Sequence, residues 1–173
     1  MIKQYKFAFF TLFVAALVVL VDRLSKAWVM ANIPLYHETA PIPFLYPYFS
    51  FLHSANTGVA FGLFQGGSII FTVVAAIAVI AIAIYSFRGS EQSWLMATSL
   101  GLMLGGAAGN LWDRIAYGAV VDFIKVQASE NLVWPMFNLA DSAIVVGTIL
   151  LIIFLLLDER KARNEKSLQT QPR

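Results

Sequence analysis

Residues 69–87 (IIFTVVAAIAVIAIAIYSF) form a run without a single charged side chain. A helix that crosses the hydrocarbon core of a bilayer needs about 20 largely apolar residues, and this run meets that requirement. The composition agrees, because only 13% of the 173 residues are charged, whereas soluble domains carry about 25%. So few charges cannot cover the surface of a water-soluble globule. The sequence therefore predicts a membrane protein and excludes a soluble enzyme or a disordered chain.

Three further segments predict membrane-spanning helices. Residues 94–112 are apolar and have a tryptophan at each end, which is typical of a span that meets the two interfaces. Two other runs reach a full span only if they include a charged residue, Asp22 in the first helix and Asp141 in the last. We therefore expect one integral membrane domain over residues 1–173, an all-α polytopic fold with four transmembrane helices at about 7–28, 69–87, 94–112 and 139–157.

The distribution of lysine and arginine predicts the orientation of these helices, since basic residues concentrate in cytoplasmic loops. The side predicted to be cytoplasmic carries Lys3, Lys6, Arg88, Arg160, Lys161, Arg163 and Lys166, and the other side carries Arg23, Lys26, Arg114 and Lys125. Both termini are then cytoplasmic, and the polar tail 158–173 is expected to be disordered. The first helix resembles a secretory signal, but charges rather than a small-residue cleavage site follow it, which favours an uncleaved helix.

The two segments on the outward side, 28–67 and 113–138, are predicted to form a small β-like element at the extracytoplasmic surface. The first contains several prolines and a partly alternating aromatic stretch from Phe44 to Phe51. The second contains GAVVDFIKV (118–126), which also has the pattern of a strand.

The chain contains no cysteine and only two histidines. This excludes a disulfide framework, a thiolate nucleophile and a cysteine-based metal site, and it leaves little for a histidine-based site. Any chemistry must come from carboxylates, amides, hydroxyls and basic side chains. We expect no metal and no cofactor.

Five polar motifs are predicted to lie together at the outward membrane face. In chain order they are DRLSK (22–26), NTGVAFG (56–62), GGAAGNLWDR (105–114), VVDF (120–123) and FNLAD (137–141). Each of them has a structural explanation that stands beside a functional one.

For the first three motifs the structural explanation is simple. Asp22 and Lys26 lie four residues apart and can form a salt bridge that anchors a helix at the interface. NTGVAFG suits a turn, since its glycines allow the backbone close approach to a neighbour. Gly101, Gly105 and Gly109 recur every four residues and predict a stripe for close helix contact.

Later polar residues in the same region also have two explanations. Asn110, Asp113 and Arg114 share one helix face, where Asp113 and Arg114 could form an ion pair or contact a substrate. Asn138 suits an N-cap, and Asp141 would then complement the helix dipole.

The location of two aspartates favours a functional interpretation. Asp141 falls inside a predicted span, where an ionisable side chain is costly, and Asp122 is flanked by Val121 and Phe123. Two carboxylates near one face are what an aspartic protease needs, because one remains protonated when the pair shares a site. Spacing alone does not show that they meet. A small proton- or ion-coupled transporter could use the same aspartates, and a scaffold would explain the glycines.

In order and content the five motifs resemble the lipoprotein signal peptidases (signal peptidase II), the bacterial membrane aspartic peptidases. The matching pieces run from the first helix to the fourth and cover about two-thirds of the chain, whereas residues 28–50 and the tail carry no matching motif. The resemblance implies that Asp122 and Asp141 are the catalytic pair. It assigns supporting or substrate-binding roles to Asp22, Lys26, Asn56, Gly58, Asn110, Asp113, Arg114 and Asn138.

The activity that the resemblance implies is hydrolysis of the peptide bond before a diacylglyceryl-modified cysteine, which releases the signal peptide of a prolipoprotein. Water would be the nucleophile, without a metal or a covalent intermediate. The expected partners are this substrate and membrane lipid, with no nucleic acid and no obligate protein partner. The expected location is the bacterial cytoplasmic (inner) membrane, with the active site at its extracytoplasmic face.

We further expect the segments 41–67 and 118–135 to hold the cleavage region of the substrate in an extended conformation, because a helical peptide has no free backbone groups for attack. Aromatic side chains such as Phe44, Phe61, Phe64 and Trp134 would line this clamp.

Overall fold

The computed structural model describes residues 5–58, 68–88, 93–129 and 132–169. Across these residues the chain forms long helices that pack into a bundle and a small antiparallel sheet at one end of it. The helices are α1 (Lys6–Asn32), α2 (Ser68–Arg88), α3 (Trp94–Tyr117) and α4 (Leu139–Gln169).

Three of the helices in the described part of the chain are long and apolar enough to cross a membrane. They comprise Lys6–Asn32, Ile69–Arg88 and Leu139–Lys166. Each contains one of the predicted spans, so the helix predictions at 7–28, 69–87 and 139–157 are confirmed as helices. The segment 94–112 is also helical, within α3.

The helix α3 lies at the centre of the bundle and packs against α1, α2 and α4. The predicted glycine stripe, Gly101, Gly105 and Gly109, makes the contact with α1. A Cβ atom at Gly105 would lie 2.6 Å from Val18 Cβ, and one at Gly109 would lie 2.6 Å from Asp22 Oδ2. Only glycine therefore allows the two backbones this close approach.

Both ends of α3 have local capping that agrees with their sequence. At the start, Ser93 Oγ accepts a hydrogen bond of 3.1 Å from Met96 N–H, as an N-cap serine does. At the end, Gly118 has a φ of 71°, the left-handed conformation in which glycine commonly terminates helices. The turn at Gly118 leads directly into a strand.

The sheet consists of four antiparallel strands in the order β1-β2-β3-β4. They are β1 (Glu38–Thr39), β2 (Phe49–Asn56), β3 (Val120–Ser129) and β4 (Leu132–Val133). The two longer strands come from the segments for which the sequence predicts extended structure, so the predicted β-like element is confirmed. The fold is therefore mostly helical with a genuine sheet, rather than purely α.

A small apolar cluster fixes the sheet to the bundle. Val29 and Ile33 at the end of α1 pack against Phe123 of β3, and all three side chains are buried. The strand β3 is also paired to the residues just before α4, since Ile124 N–H donates to Phe137 O at 2.8 Å and Phe137 N–H donates back to Ile124 O. These contacts hold β3 beside the start of α4.

The prediction that the tail is disordered is wrong for residues 158–169, because α4 continues as one helix to Gln169. Glutamate, lysine, arginine and alanine are good helix formers, and an existing helix is extended at little cost. Within this extension Arg163 Nη2 lies 2.6 Å from Glu159 Oε1, one turn earlier, a favourable spacing.

Candidate active site

Asp122 and Asp141 reach the same cavity from different elements. Asp122 lies on β3, where its side chain is buried, and Asp141 lies in the first turn of α4. Both line a cavity of about 810 Å³, a volume typical of ligand sites. The structure therefore brings together the two aspartates that the sequence singles out.

Each carboxylate oxygen of Asp122 accepts a hydrogen bond from an asparagine amide. Asn56 Nδ2 donates to Oδ2 at 2.9 Å, and Asn138 Nδ2 donates to Oδ1 at 2.8 Å. The first contact follows from the strand register, in which Asn56 lies opposite Val120 and Ser54 opposite Asp122. Asn56 and Asp122 are thus diagonal neighbours on one face of the sheet.

Both carboxylate oxygens of Asp141 also accept hydrogen bonds. Asn110 Nδ2 of α3 donates to Oδ1 at 2.8 Å, and the Asn138 backbone N–H donates to Oδ2 at 3.1 Å. In return, the Asp141 N–H donates to Asn138 Oδ1 at 2.9 Å. This reciprocal pair is a capping box at the start of α4. The structural role predicted for Asn138 is confirmed, and the same side chain also contacts Asp122.

A second cluster of polar side chains lies next to the aspartates, between α1 and α3. Lys26 Nζ lies 2.8 Å from Asp22 Oδ2 and 2.8 Å from Asp113 Oδ2, and all three side chains are fully buried. Arg23 pairs with the other oxygen of Asp113. The predicted pairing of Asp22 with Lys26 is confirmed, but complete burial replaces the predicted interfacial anchor. We call Asp22, Arg23, Lys26 and Asp113 the ion cluster.

Arg114 and Gly58 also face the cavity. Because Asp113 pairs with Arg23 and Lys26, the suggested ion pair between Asp113 and Arg114 is not the arrangement observed. Gly58 N–H donates to Asn56 Oδ1 at 3.0 Å, so the start of the NTGVAFG motif forms a tight turn. Its remaining residues, 59–62, lie outside the described residues.

The cavity is polar at one end and apolar along its length. The polar end holds the two aspartates, Asn56, Asn110 and Arg114. The rest is a groove between the helices, and it is lined by Phe71, Val74, Ala75, Ala78 and Ile82 of α2, Met103 and Ala107 of α3, and Ile144, Val145 and Val146 of α4. The arrangement can therefore hold an apolar chain with a polar bond placed at the aspartates.

Burial raises the pKa of Asp122 from its ordinary value of 3.8 to about 7, and the nearby charge of Asp141 adds to this effect. The hydrogen bonds from Asn56 and Asn138 act in the opposite direction and lower it. A pKa near 7 gives Asp122 a proton for part of the time at neutral pH. This is the condition for one carboxyl group to donate a proton while its neighbour accepts one.

Two contacts at the site could not be predicted from the motifs that contain their residues. Arg23 pairs with Asp113, and the Ala140 backbone N–H donates to Asp22 Oδ1 at 3.1 Å. The α2 residues that line the groove could not be predicted either, since a uniformly apolar span does not show which of its faces meets a cavity. Among the described residues no group of three or more acidic or histidine side chains could hold a metal ion.

Comparison with known proteins supports a single family. A sequence model described as signal peptidase (SPase) II matches residues 14–157. The lipoprotein signal peptidase of Syntrophomonas wolfei is 48% identical over 149 residues, which covers 86% of this chain and 94% of the relative. The lipoprotein signal peptidase of Desulfitobacterium hafniense is 44% identical over 145 residues, covering 83% and 90% respectively.

Solved structures give the same result at the level of the fold. A bacterial membrane enzyme determined by the in meso method at 2.3 Å resolution superposes with a TM-score of 0.76 at 29% identity, covering 86% of this chain and 88% of the other. A second such structure, at 1.9 Å, has a TM-score of 0.72 at 29% identity and covers 84% and 92%. The chain therefore belongs to the signal peptidase II family, the membrane proteases that remove signal peptides from prolipoproteins.

Proposed function

We propose that Asp122 and Asp141 are the catalytic pair of this protease and that they hydrolyse the peptide bond before a diacylglyceryl-modified cysteine. One observation carries the proposal: both carboxylates line the polar end of an otherwise apolar groove. They also share Asn138, whose side chain donates to Asp122 and whose backbone N–H donates to Asp141. Such a pair can exchange a single proton.

Water is the nucleophile in the proposed mechanism. Asp141, at the start of α4, acts as the general base and removes a proton from the water as its oxygen attacks the scissile carbonyl carbon. Asp122, whose pKa burial raises to about 7, donates its proton to the carbonyl oxygen. The tetrahedral intermediate then collapses: Asp141 gives the proton that it took from water to the departing nitrogen, the C–N bond breaks, and the hydroxyl formed from the carbonyl oxygen returns its proton to Asp122.

The groove suits the substrate that this reaction requires. A signal peptide is apolar, and so are the two acyl chains on the modified cysteine, whereas the bond to be cut is polar. The lining follows the same division, with helix side chains such as Val74 and Val145 along the groove and Asp122 and Asp141 at one end. Binding of the apolar parts would place the scissile bond at the aspartates.

The clamp on the extended cleavage region remains part of this proposal. Trp134 is 64% exposed and lines the cavity, and Phe44 is 84% exposed on the sheet side of the molecule. Phe61 and Phe64 lie outside the described residues. Crosslinks from a lipidated substrate peptide are expected at Trp134, and crosslinks confined to Arg88 would contradict the clamp.

The decisive experiment is cleavage of a diacylglyceryl-modified prolipoprotein by the purified protein in detergent. The unmodified precursor and the Asp141→Asn variant serve as controls. Cleavage of the lipidated substrate alone, and by the wild type alone, is the expected result. Absence of cleavage by a folded wild-type sample would favour the transporter, with ion flux as the next assay.

The membrane topology is also proposed. We place α3 as a fourth span because it lies between the other three helices, and the basic residues place both termini in the cytoplasm and the aspartates at the outer face of the inner membrane. Since the chain contains no cysteine, single cysteines at Arg88 and Tyr117 can be tested with an impermeant maleimide. Labelling of Tyr117→Cys from outside and of Arg88→Cys only after lysis is expected. Labelling of both from one side would contradict the fourth span.

A further inference from the structure

Lys26 is the central residue of the ion cluster, and all its donors are used. Its Nζ lies 2.8 Å from Asp22 Oδ2, 2.8 Å from Asp113 Oδ2 and 3.1 Å from Asn110 Oδ1. An ammonium group carries three hydrogens and has no acceptor. The side chain is fully buried, so these three contacts replace its entire hydration.

Two of the three partners of Lys26 also accept a hydrogen bond from the backbone N–H of the residue before a catalytic aspartate. Asp22 Oδ1 accepts a hydrogen bond of 3.1 Å from the N–H of Ala140, the residue before Asp141. Asp113 Oδ2 accepts one of 3.2 Å from the N–H of Val121, the residue before Asp122. Lys26 thus holds together the carboxylates of Asp22 and Asp113, which bind the backbone at the start of α4 and at the start of β3.

The third partner orients a side chain at the site. Because the ammonium only donates, Asn110 must present its Oδ1 to Lys26 and its Nδ2 to Asp141 Oδ1, which is the arrangement observed. Asn138 Nδ2 also lies 3.1 Å from Asn110 Oδ1, but its two hydrogens have Asp122 Oδ1 and Val121 O as further acceptors. Lys26 is therefore the donor that fixes the orientation of the Asn110 amide.

Stability is a weak reason for such an arrangement. The desolvation of buried ions roughly cancels their attraction, and apolar replacements are often neutral or stabilising. A fixed geometry is what the buried ions provide here, since they join α1 and α3 to the backbone N–H groups of Val121 in β3 and Ala140 in α4.

We propose that Lys26 is the positioning residue of the catalytic pair, which sets the separation of Asp122 and Asp141 through Asp22 and Asp113 and orients the Asn110 amide toward Asp141. This inference rests on the proposed function of the pair. It assigns to Lys26 no contact with the substrate, because the side chain is enclosed and is absent from the lining of the cavity.

The test uses a charge-matched double variant, Lys26→Met with Asp22→Asn, in the full-length protein. Removing one positive and one negative charge leaves Asp113 paired with Arg23, so the variant avoids an unpaired buried carboxylate. A displacement of reacting groups by about 1 Å can lower the rate by about 100-fold. We expect a loss of that size in kcat for the lipidated prolipoprotein, with KM near the wild-type value because the groove is untouched.

The pH profile distinguishes positioning from a general loss of stability. The groups that act on Asp122 are Asp141, Asn56, Asn138, Lys26 and Arg114, and the Lys26 charge lowers the pKa of Asp122. In the double variant the pH above which cleavage declines should therefore move upward. The double variant Lys161→Met with Asp158→Asn removes one positive and one negative charge at exposed positions in α4, so it is the matched control and should retain wild-type kinetics and pH profile.

A second variant keeps the charge and changes the geometry. Lys26→Arg replaces three tetrahedral donors by a planar fork, so kcat should fall while the pH profile stays in place. Wild-type kcat in either variant would overturn the inference, and so would a failure of both variants to fold, which would assign Lys26 to stability instead. The wild-type reaction is the reference: if it fails, the proposed function fails, whereas cleavage by the wild type and variants alike removes only the role of Lys26.

Discussion

The ion cluster and the aspartate pair, Asp122 with Asp141, are two neighbouring sets of polar side chains that differ in charge and in access. The ion cluster contains two acids and two bases, and its Lys26, Asp22 and Asp113 side chains are fully buried. The aspartate pair contains two like charges and opens into the cavity.

This difference leads us to expect a rigid ion cluster and a reactive aspartate pair. In the ion cluster each charge has an opposite charge within contact distance, so no proton needs to move. In the aspartate pair both partners are acids whose hydrogen bonds come from neutral amides, and burial raises the pKa of Asp122 to about 7, so we expect Asp122 to hold a proton that it can transfer. We therefore expect substitutions in the aspartate pair to lower activity without lowering stability, whereas removing one partner from the ion cluster should lower stability as well.

The largest expected effect on activity comes from Asp122→Asn and Asp141→Asn. Either change removes the proton transfer, a contribution that reaches about 10⁴-fold in rate, while the loss of one of two like charges leaves the thermal midpoint unchanged or higher. Cleavage assays and thermal unfolding followed by tryptophan fluorescence measure the two quantities. Asp158→Asn, at an exposed position in α4, is the matched control. Substantial cleavage by either site variant would contradict the catalytic pair.

The largest expected effect on stability comes from Asp113→Ala in the ion cluster. Lys26 and Arg23 would lose a shared carboxylate partner, and removing one partner of a buried pair costs about 3–5 kcal/mol in the free energy of unfolding. Glu159→Ala breaks the exposed pair with Arg163 and should cost less than about 1 kcal/mol. Equal losses in the two variants would remove the distinction between the closed ion cluster and an ordinary surface pair.

The pH dependence should follow the proton on Asp122. The reaction needs this carboxyl protonated and its pKa is about 7, so kcat/KM should fall by about tenfold for each pH unit well above 7. The measurement is the rate of cleavage between pH 5 and pH 9. A rate that rises through this range would contradict a protonated Asp122.

Stability should change with pH in the same direction. The pKa of Asp122 is 3.8 in an ordinary environment and about 7 in the folded protein. Between these values the folded state binds more protons than the unfolded state, so the free energy of unfolding decreases as the pH rises. Asp122→Asn should remove this part of the pH dependence from the thermal midpoint.

A smaller effect is expected from Asn56→Ala, which removes one of the two amides that donate to Asp122. The hydrogen bond lowers the pKa of Asp122, so its loss should move the decline of cleavage to higher pH and reduce kcat/KM by about tenfold. Asn32→Ala is the control, because Asn32 is exposed and donates to Trp28 O within α1. An unchanged pH profile would show that Asn56 does not act on the pair.

The position of the site along the chain was largely predictable, because charged residues inside apolar spans have few structural uses. Asp22, Lys26 and Asp141 are conspicuous for this reason, and the structure places them within one polar region. The contact between Asp22 and Lys26 follows from their spacing on a helix. The contact between Lys26 and Asp113 does not, since it depends on how closely Gly105 and Gly109 allow α1 to approach α3.

The last helix shows where prediction from the sequence fails. Residues 158–169 have no apolar periodicity, and periodicity is what predicts a packed helix. They are helical because α4 precedes them, and a helix that has already formed extends through residues of high propensity. Hydrophobic periodicity predicts how a helix packs, so it gives no information about residues 158–166, whose side chains are exposed.

The sequence by itself determined that this chain lies in a membrane, where its helices begin, and which aspartates are worth testing, because apolar length and the cost of buried charge are local properties. Only the tertiary structure decided that Asp122 and Asp141 share Asn138, that the Lys26 ammonium meets three acceptors from two helices, and that α2 completes the groove. These contacts depend on strand register and on the approach of helices distant in sequence, and no local pattern encodes either.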